Sequence, residues 1–250
     1  MQKGMVKWMI DIVVTMGGLG TRFRKKGYTV PKYMIEARGK TLFEWSMISL
    51  TDCKERTARY IFIALDDNDN DVETFISEKC RDLGIVNYYT ILLDSLTDGQ
   101  ATTAMKAEKY WNADDALLIY NIDTYVEAGE IKSDDFHGDG FIPCFKASGT
   151  HWSFVRLDEC GKVVEIKEKQ RISDYCTIGA YYFRTCSLYK KLYDEFYDQK
   201  GYLINGEKYV APLYDYLLSI NGDVYISDIS PDKVHVLGTP EELDVFLNGY

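Results

Sequence analysis

The segment "MGGLGTRFRKKGYTVPKYM", residues 16–34, combines glycines with a concentration of positive charge. Glycine lets the backbone come close to phosphate oxygens, and successive free N–H groups form an anion-binding nest. Arginine and lysine side chains can then neutralise the remaining phosphate charge. The whole chain has a formal net charge of −10, so this segment opposes the overall field. The pattern predicts a phosphate-binding site, with the basic residues Arg22, Arg24, Lys25, Lys26 and Lys32.

Two common phosphate-binding motifs do not account for this segment. A dinucleotide-binding G-x-G-x-x-G fingerprint would need glycine where Phe23 stands. A P-loop ending at "GKT", residues 39–41, would need glycine where Met34 stands. Glycines and basic residues alone leave an ordinary surface turn as the alternative.

One acidic residue, Asp123, ends the predicted buried strand "ALLIYNID" at 116–123. Open α/β sheets bind their ligands beyond the carboxyl ends of their strands. A carboxylate at that place can hold Mg²⁺, which prefers oxygen ligands and phosphates. The alternative is a polar strand terminus that binds nothing.

The composition excludes several classes of partner and location. With 39 acidic against 29 basic residues, no general surface for nucleic acid or for an anionic membrane is expected. No apolar stretch reaches the ~18 residues of a membrane span, and Asp11 interrupts the N-terminal apolar run, which has no signal-peptide pattern. Six scattered cysteines without a C-x-x-C pair predict reduced thiols in a cytoplasmic protein.

The elements that must position these residues alternate in the first half of the chain. Apolar, β-branched runs predict strands at 9–16, 60–65, 88–93 and 116–123. Thr41 and Glu44 form a capping-box pattern that opens a helix, and helices are also predicted at 70–84 and 99–111. Strands that alternate with helices indicate a parallel sheet covered on both faces.

The second half has a different pattern. Closely spaced strands are predicted in "FIPCF", "WSFVRLD", "KVVEIKEK" and "TIGAYYF", followed by helices at 187–199 and 207–220. A last helix is opened by Thr239 and Pro240. Because no repeat, low-complexity tract or linker separates the halves, we expect them to share one sheet.

The full string "GGLGTRF…GY…PK" resembles the signature of the nucleotidyltransferases that act on sugar phosphates, G-x-G-T-R followed by P-K. Further segments are similar to elements of that family in the same order: "GQATTA", "NID", "EIKEK", "TIGAYYF", "GEKYVAPLYDYL" and "GTPEEL". The resemblance implies an α/β fold, a Rossmann-like (GT-A type) three-layer sandwich with a mixed, mostly parallel central sheet. It also implies a single domain over 1–250, with a nucleotide-binding half at about 1–125 and an acceptor-binding half at about 126–250.

The resemblance implies roles for the matching residues of the nucleotide-binding half. Those that would wrap the triphosphate are Gly17, Gly18, Gly20, Thr21 and the catalytic Arg22. Lys32, also catalytic, would reach across the reacting phosphates, and Asp123 would bind Mg²⁺. Gly99 and Gln100 would recognise the base, since an amide can both donate and accept. A solvated lysine after a turn proline, and a plain helix-start glutamine, are the structural alternatives.

The acceptor-binding half is implied in the same way. Lys169 would be catalytic and would meet the acceptor's phosphate, beside Glu168. Gly179 and Tyr181 would border the acceptor pocket, and Glu207 would bind acceptor hydroxyls. For Glu168 and Lys169 the structural alternative is a solvated strand face, and for Tyr181 it is a position in the core.

One departure from the family pattern concerns the metal. Many relatives carry a second metal-binding aspartate two residues before the glycine of the G-T element, where this chain has Val236. Asp123 is therefore expected to act as the one carboxylate ligand. The rival is that Asp228 or Asp232, in the segment "SDISPD" read as irregular, supplies a second carboxylate.

The expected function is that of a cytoplasmic, Mg²⁺-dependent nucleotidyltransferase that uses an NTP and a phosphorylated small molecule, for capsule precursor synthesis. CTP and a sugar 1-phosphate are favoured, and phosphocholine or phosphoglutamine are the alternative acceptors. A GT-A glycosyltransferase would need a D-x-D motif, and Asn121 stands at its first position. A non-catalytic nucleotide-binding module and a homo-oligomer are left open.

Overall fold

The computed structural model describes residues 8–249, and its strands are numbered in chain order. They are β1 (Ile10–Met16), β2 (Glu36–Ala37), β3 (Lys40–Thr41), β4 (Thr57–Leu65), β5 (Tyr88–Leu93), β6 (Ala116–Asn121), β7 (Thr124–Val126), β8 (Gly140–Lys146), β9 (Ser153–Leu157), β10 (Val163–Glu168), β11 (Tyr175–Thr177), β12 (Ala180–Phe183), β13 (Val224–Ile229) and β14 (Val234–Val236).

The α-helices of the described chain are short. They are α1 (Thr21–Lys25), α2 (Leu42–Ile48), α3 (Val72–Leu83), α4 (Gln100–Met105), α5 (Cys186–Tyr193), α6 (Ala211–Ser219) and α7 (Pro240–Asn248). Turns of 3₁₀-helix occupy Lys32–Met34, Thr51–Arg56, Ser133–Asp135 and Pro231–Lys233, and a π-helical turn, Asp194–Gln199, extends α5. None of the helices within residues 8–249 is both long and apolar enough to cross a membrane.

One ten-stranded sheet runs through both halves of the chain, in the order β10-β9-β11-β8-β12-β6-β1-β4-β5, with β13 beside β8. The strands β5, β4, β1 and β6 form a parallel core. β12 joins the halves, because it pairs antiparallel with β6 on one side and with β8 on the other. The predicted α/β fold with a mixed sheet, shared by the two halves, is confirmed.

Two hydrophobic cores cover the two faces of this sheet. Along β1 the side chains alternate, so that Ile12 and Val14 lie in one core and Val13 in the other. A third, smaller core joins α1 to the C-terminal helix through Phe23, Leu237 and Phe246. This core anchors the glycine-rich segment, since each buried large apolar side chain contributes roughly 1.5–3 kcal/mol.

Most predicted elements are confirmed, and the capping box of α2 is present as predicted. Two expectations were wrong. The helix predicted over 99–111 ends at Met105 and continues as turns. The segment "SDISPD" is not irregular throughout, because Ser227 and Asp228 belong to β13, which pairs parallel with β8.

A charged group lies inside the sheet at Asp11, which is fully buried in β1. Its Oδ1 is 2.8 Å from Nε of Arg59, in ion-pair contact but without the alignment of a hydrogen bond. Its Oδ2 accepts a hydrogen bond from the backbone N–H of Asn112 at 2.7 Å. Burial raises the pKa of Asp11 from 3.8 to about 6, against the lowering effects of Asn112 and Arg59.

The raised pKa of Asp11 predicts a pH dependence of stability. The folded protein binds this proton more tightly than the unfolded chain, so the stabilisation is complete below pH 4 and is lost as the pH rises to about 6. We expect the unfolding free energy of the wild type, relative to that of the Asp11→Asn protein, to fall by up to about 3 kcal/mol as the pH rises over that range. Urea denaturation at several pH values measures it. A pH-independent difference would contradict the burial argument.

Candidate active site

A cavity of about 680 Å³ opens at the edge of the sheet where β1, β5 and β6 end. Parallel strands end at the same edge, so the segments that follow them, 17–18, 96–99 and 123–124, converge there. Because β12 runs antiparallel to β6, its beginning lies at this edge as well and brings in Gly179. The topology therefore makes residues from both halves line one cavity.

Most of the residues singled out from the sequence line this cavity. They are Gly17, Gly18, Arg22, Lys32, Gly99, Gln100, Asp123, Glu168, Lys169, Gly179, Tyr181 and Glu207. Gly20 and Thr21 are not among the lining residues. Gly20 adopts the left-handed conformation that starts α1, with φ of 60°, and Thr21 is exposed at the first position of that helix.

The basic residues of the glycine-rich segment divide into two groups. Arg22 lines the cavity, and its guanidinium makes no hydrogen bond or ion pair within residues 8–249. Arg24 instead donates to the Leu19 carbonyl at 3.2 Å and pairs with Asp67 at 3.1 Å. Lys26 pairs with an acid outside the cavity, Glu241, at 3.5 Å. Arg24 thus braces the segment, while Arg22 is available to an anion.

Lys32 and Asp123 are in direct contact at the centre of the cavity wall. The Lys32 ammonium lies 2.7 Å from Oδ2 of Asp123, and these side chains are 15% and 29% exposed. Burial alone would raise the pKa of Asp123, but the charge and hydrogen bond of Lys32 hold it below its usual value. The carboxylate is therefore ionised and already neutralised by a cation.

The amide of Gln100 is oriented by the protein. Its Nε2 donates to Oγ1 of Thr15 at 3.2 Å and to Oδ1 of Asn121. Asn121 packs against Gly179, which has φ of 82°, and a Cβ there would fall 2.4 Å from the Asn121 side chain. Since both donor contacts lie within the protein, the Gln100 carbonyl oxygen is left to accept from a ligand.

Gly99 is the point at which the segments from the two halves cross. With φ of 144°, a Cβ on Gly99 would fall 2.3 Å from the carbonyl oxygen of Lys208. Backbone hydrogen bonds flank this crossing, from Ala101 N–H to the Lys208 carbonyl at 3.0 Å and from Lys208 N–H to the Asp98 carbonyl at 2.8 Å. The 96–100 and 204–209 segments are therefore held together by backbone contacts.

A buried hydroxyl chain supports the part of the cavity wall that carries Glu168. Glu168 accepts from the Ser153 hydroxyl, which lies 3.3 Å from the hydroxyl of Tyr181, and Tyr181 contacts Thr177 Oγ1 at 3.0 Å. Burial raises the pKa of Glu168, an effect that the Ser153 hydrogen bond and the charge of Lys169 oppose. Tyr181 is both a core residue, at 4% exposure, and a lining residue.

Lys169 follows β10 in an uncommon backbone conformation, with φ of 55°. Non-glycine residues rarely adopt this region, and such strain is concentrated at functional sites. Its backbone N–H donates to the Trp152 carbonyl at 2.9 Å, which fixes the turn. Its ammonium contacts the Tyr209 hydroxyl and lies 4.4 Å from the centre of that ring. The charge of Lys169 is thus held at the cavity wall, over the ring of Tyr209.

Several lining residues had no role in the sequence reasoning, among them Thr15, Trp152, Ser153, Tyr209 and Glu242. Their elements were predicted, but the face of a strand or helix that a residue presents depends on register and packing. Neither Asp228 nor Asp232 is among the lining residues. Asp228 pairs with Lys146 at 3.2 Å, and Asp232 accepts from Ser230.

The fold agrees with solved structures of nucleotidyltransferases. The nucleoside-diphosphate-sugar pyrophosphorylase from Vibrio cholerae RC9 is 34% identical, with 94% of this chain and 99% of that chain covered and a TM-score of 0.84. A putative glucose-1-phosphate thymidylyltransferase from Bacillus anthracis is 15% identical over 95% and 94%, at a TM-score of 0.77. The inositol-1-phosphate CTP transferase from T. maritima is 17% identical, with 94% of this chain and 91% of that chain covered and a TM-score of 0.74.

Comparisons with family models and with curated proteins gave no match. The structural likenesses below 25% identity support the fold alone. The Vibrio cholerae protein is similar along nearly the full length of both chains, at an identity above 30%. The chain belongs to the sugar-phosphate nucleotidyltransferase family. It is accordingly a nucleotidyltransferase enzyme.

The crossing at Gly99 predicts different costs for two glycine substitutions. Gly99→Ala places a methyl group against the backbone of Lys208, which should cost roughly 1–3 kcal/mol of stability. Gly18→Ala is the matched control, because nothing lies within 4 Å of its Cβ position. Thermal unfolding should show a melting temperature at least about 2 °C lower for Gly99→Ala alone. Equal melting temperatures would contradict the close approach.

Proposed function

We propose that the protein transfers a nucleotidyl group from an NTP, with CTP favoured, to a phosphorylated small molecule, with release of pyrophosphate. The observation that supports this most is that cationic groups from both halves of the chain line one cavity. Arg22 and Lys32 belong to the glycine-rich segment, and Lys169 directly follows β10. Two phosphate-bearing substrates need two such positions, and their reacting atoms must meet between them.

The reaction needs no covalent enzyme intermediate, because the acceptor brings its own nucleophile. An oxygen of the acceptor phosphate attacks the α-phosphorus, a new P–O bond forms, and the bond to the β-phosphate oxygen breaks. Pyrophosphate leaves with the electron pair of that bond. Catalysis then consists of holding both substrates in line and neutralising their charge. Arg22 and Lys32 act on the triphosphate, and Lys169 binds the acceptor phosphate.

Magnesium is proposed as the metal. Its donor set would be the Asp123 carboxylate together with phosphate oxygens and water, which fits the oxygen preference and the retained waters of Mg²⁺. In the described residues, no group of three or more His, Cys, Asp or Glu side chains could hold an ion without the nucleotide. When bound, Mg²⁺ supplies charge neutralisation on the phosphates. An ion bound through Oδ2 of Asp123 would compete with Lys32, which contacts that oxygen.

The base and acceptor are proposed from the lining residues. The Gln100 carbonyl oxygen, oriented by Thr15 and Asn121, can accept from the amino group of cytosine. Glu168 and Glu207 line the same cavity and can accept from sugar hydroxyls, which favours a sugar 1-phosphate. The Vibrio cholerae relative, a nucleoside-diphosphate-sugar pyrophosphorylase, supports the same choice. Synthesis of capsule or other surface polysaccharide precursors is the proposed role, and phosphocholine and phosphoglutamine remain acceptors to test.

The reaction predicts that pyrophosphate release depends on three components together. We expect release only when an NTP, Mg²⁺ and a phosphorylated acceptor are all present, with CTP giving the fastest rate among the four NTPs. A coupled pyrophosphate assay across a panel of acceptors measures it. Release of a nucleoside monophosphate from a nucleotide sugar, without pyrophosphate, would identify a glycosyltransferase instead.

Two substitutions should separate the phosphate positions. Arg22→Ala should lower turnover by roughly 10²-fold, because Arg22 faces charge that develops on the triphosphate. Lys169→Ala should mainly raise the KM for the acceptor, whose phosphate is charged in ground and transition states alike. Lys25→Ala is the control, since Lys25 is exposed and does not line the cavity. An unchanged acceptor KM in Lys169→Ala would show that Lys169 has another role.

The contact between Lys32 and Asp123 predicts that metal affinity is held down in the nucleotide-free protein. Lys32→Ala frees the carboxylate and should raise Mn²⁺ affinity by roughly tenfold, equivalent to about 1.4 kcal/mol. Asp123→Asn, made in the Lys32→Ala protein, should remove that gain. Electron paramagnetic resonance of free Mn²⁺ during titration measures both. The same affinity in wild type and Lys32→Ala would contradict competition between lysine and metal.

A further inference from the structure

Two helices of the protein begin with the same Thr-x-x-Glu pattern, but only one closes its capping box. In α2 the Thr41 N–H donates to Oε2 of Glu44 at 2.9 Å, and the Glu44 N–H donates to Oγ1 of Thr41 at 3.3 Å. The Glu44 carboxylate also pairs with Lys79 at 2.9 Å. The side chain of Glu44 therefore has a structural role, because it caps the helix.

In α7 the box is half open. The Glu242 N–H donates to Oγ1 of Thr239 at 3.2 Å, as expected for the cap. The Glu242 carboxylate does not return the bond, and between residues 8 and 249 it has neither a hydrogen bond nor an ion pair. It lines the cavity instead. The adjacent Glu241 points elsewhere, with its carboxylate 3.5 Å from Lys26.

The free carboxylate of Glu242 lies beside Asp123. Gly238 separates the two, and the position that a Cβ would take on Gly238 is 3.2 Å from Oδ2 of Asp123 and 3.4 Å from Oε2 of Glu242. Because glycine has no side chain, a gap remains that faces both oxygens. Two carboxylates that face one gap repel each other unless a cation lies near them. Lys32 supplies one positive charge, at Asp123.

We infer that Glu242 is the second carboxylate ligand of the metal that accompanies the nucleotide. This rests on the proposed function, which supplies the metal. Val236, the position where many relatives carry the second aspartate, lines the cavity with a hydrocarbon side chain that cannot bind an ion. Glu242 restores a carboxylate from the first turn of α7. One or two carboxylates with phosphate oxygens and water is the usual donor set for Mg²⁺.

The backbone at Asp123 keeps the two carboxylates in register. Leu237 N–H donates to the Asp123 carbonyl at 2.8 Å, and β14 pairs with β7 just beyond it. The start of α7 is therefore tied to the turn that carries Asp123, so a ligand on the helix has a fixed place relative to the other. The third core packs Leu243, the next residue of α7, against the same region.

Mn²⁺ titration without nucleotide tests the inference, so failure of the proposed transferase activity cannot be confused with failure of this site. The parent is Lys32→Ala, in which Asp123 is free to bind the ion. Adding Glu242→Gln keeps the size of the side chain and its backbone cap, and removes the charge. We expect Mn²⁺ affinity to fall at least about tenfold, the lower end of the loss caused by removing even an outer-shell partner of a metal site.

The matched control is Glu241→Gln in the same parent, since Glu241 is the neighbouring glutamate on the same helix turn and lies outside the cavity. It should leave Mn²⁺ affinity unchanged, and circular dichroism should show that all variants are folded. Equal Mn²⁺ affinities for the Glu242→Gln and Glu241→Gln proteins would overturn the inference. A Lys32→Ala parent that does not bind Mn²⁺ at all would overturn it as well. An affinity loss in the Glu242→Gln protein alone supports it.

Discussion

The antiparallel pairing of β6 with β12 is the constraint on which the site depends. β6 ends at the turn that carries Asp123, and β12 begins next to Gly179 at that same edge. If β12 were parallel to β6, its beginning would lie at the opposite edge, away from the glycine-rich segment. The reversal of strand direction thus makes one cavity from the two halves. The close packing of Asn121 on Gly179 fixes the register at the junction.

Several charged groups of the glycine-rich segment are already paired within the protein. An acidic protein with a free basic cleft would attract many anions, yet only part of the basic segment faces the cavity. Arg24 is paired with Asp67, and Lys32 is paired with Asp123. A partly buried ion pair costs desolvation, so a nucleotide and its metal could compensate for separating it by offering each partner a new contact. Under the proposed function, Lys32 would then turn to phosphate, and Asp123 to the ion.

The strands and the capping box could be predicted because they depend on local patterns, and the lining residues that were predicted came mainly from the family resemblance. What depends on how distant segments cross could not be predicted from either. The Thr-x-x-Glu pattern is the same at Thr41 and at Thr239, yet the glutamate folds back in one helix and not in the other. Asp228 was read as irregular, because a strand that pairs with a distant partner, here β8, has no local signature that sets its pairing.

Gly99 shows how the crossing of segments joins the two substrate ends. It lines the cavity from the first half of the chain, but the atom it makes room for is the carbonyl oxygen of Lys208, from the second half. The ammonium of Lys208 in turn lies 3.3 Å from Asp98, beside Gly99. The 96–100 segment is therefore joined by backbone contacts to the 204–209 segment, which includes Glu207 and Tyr209. Under the proposed function, these contacts would link the residues for the base to the residues for the acceptor.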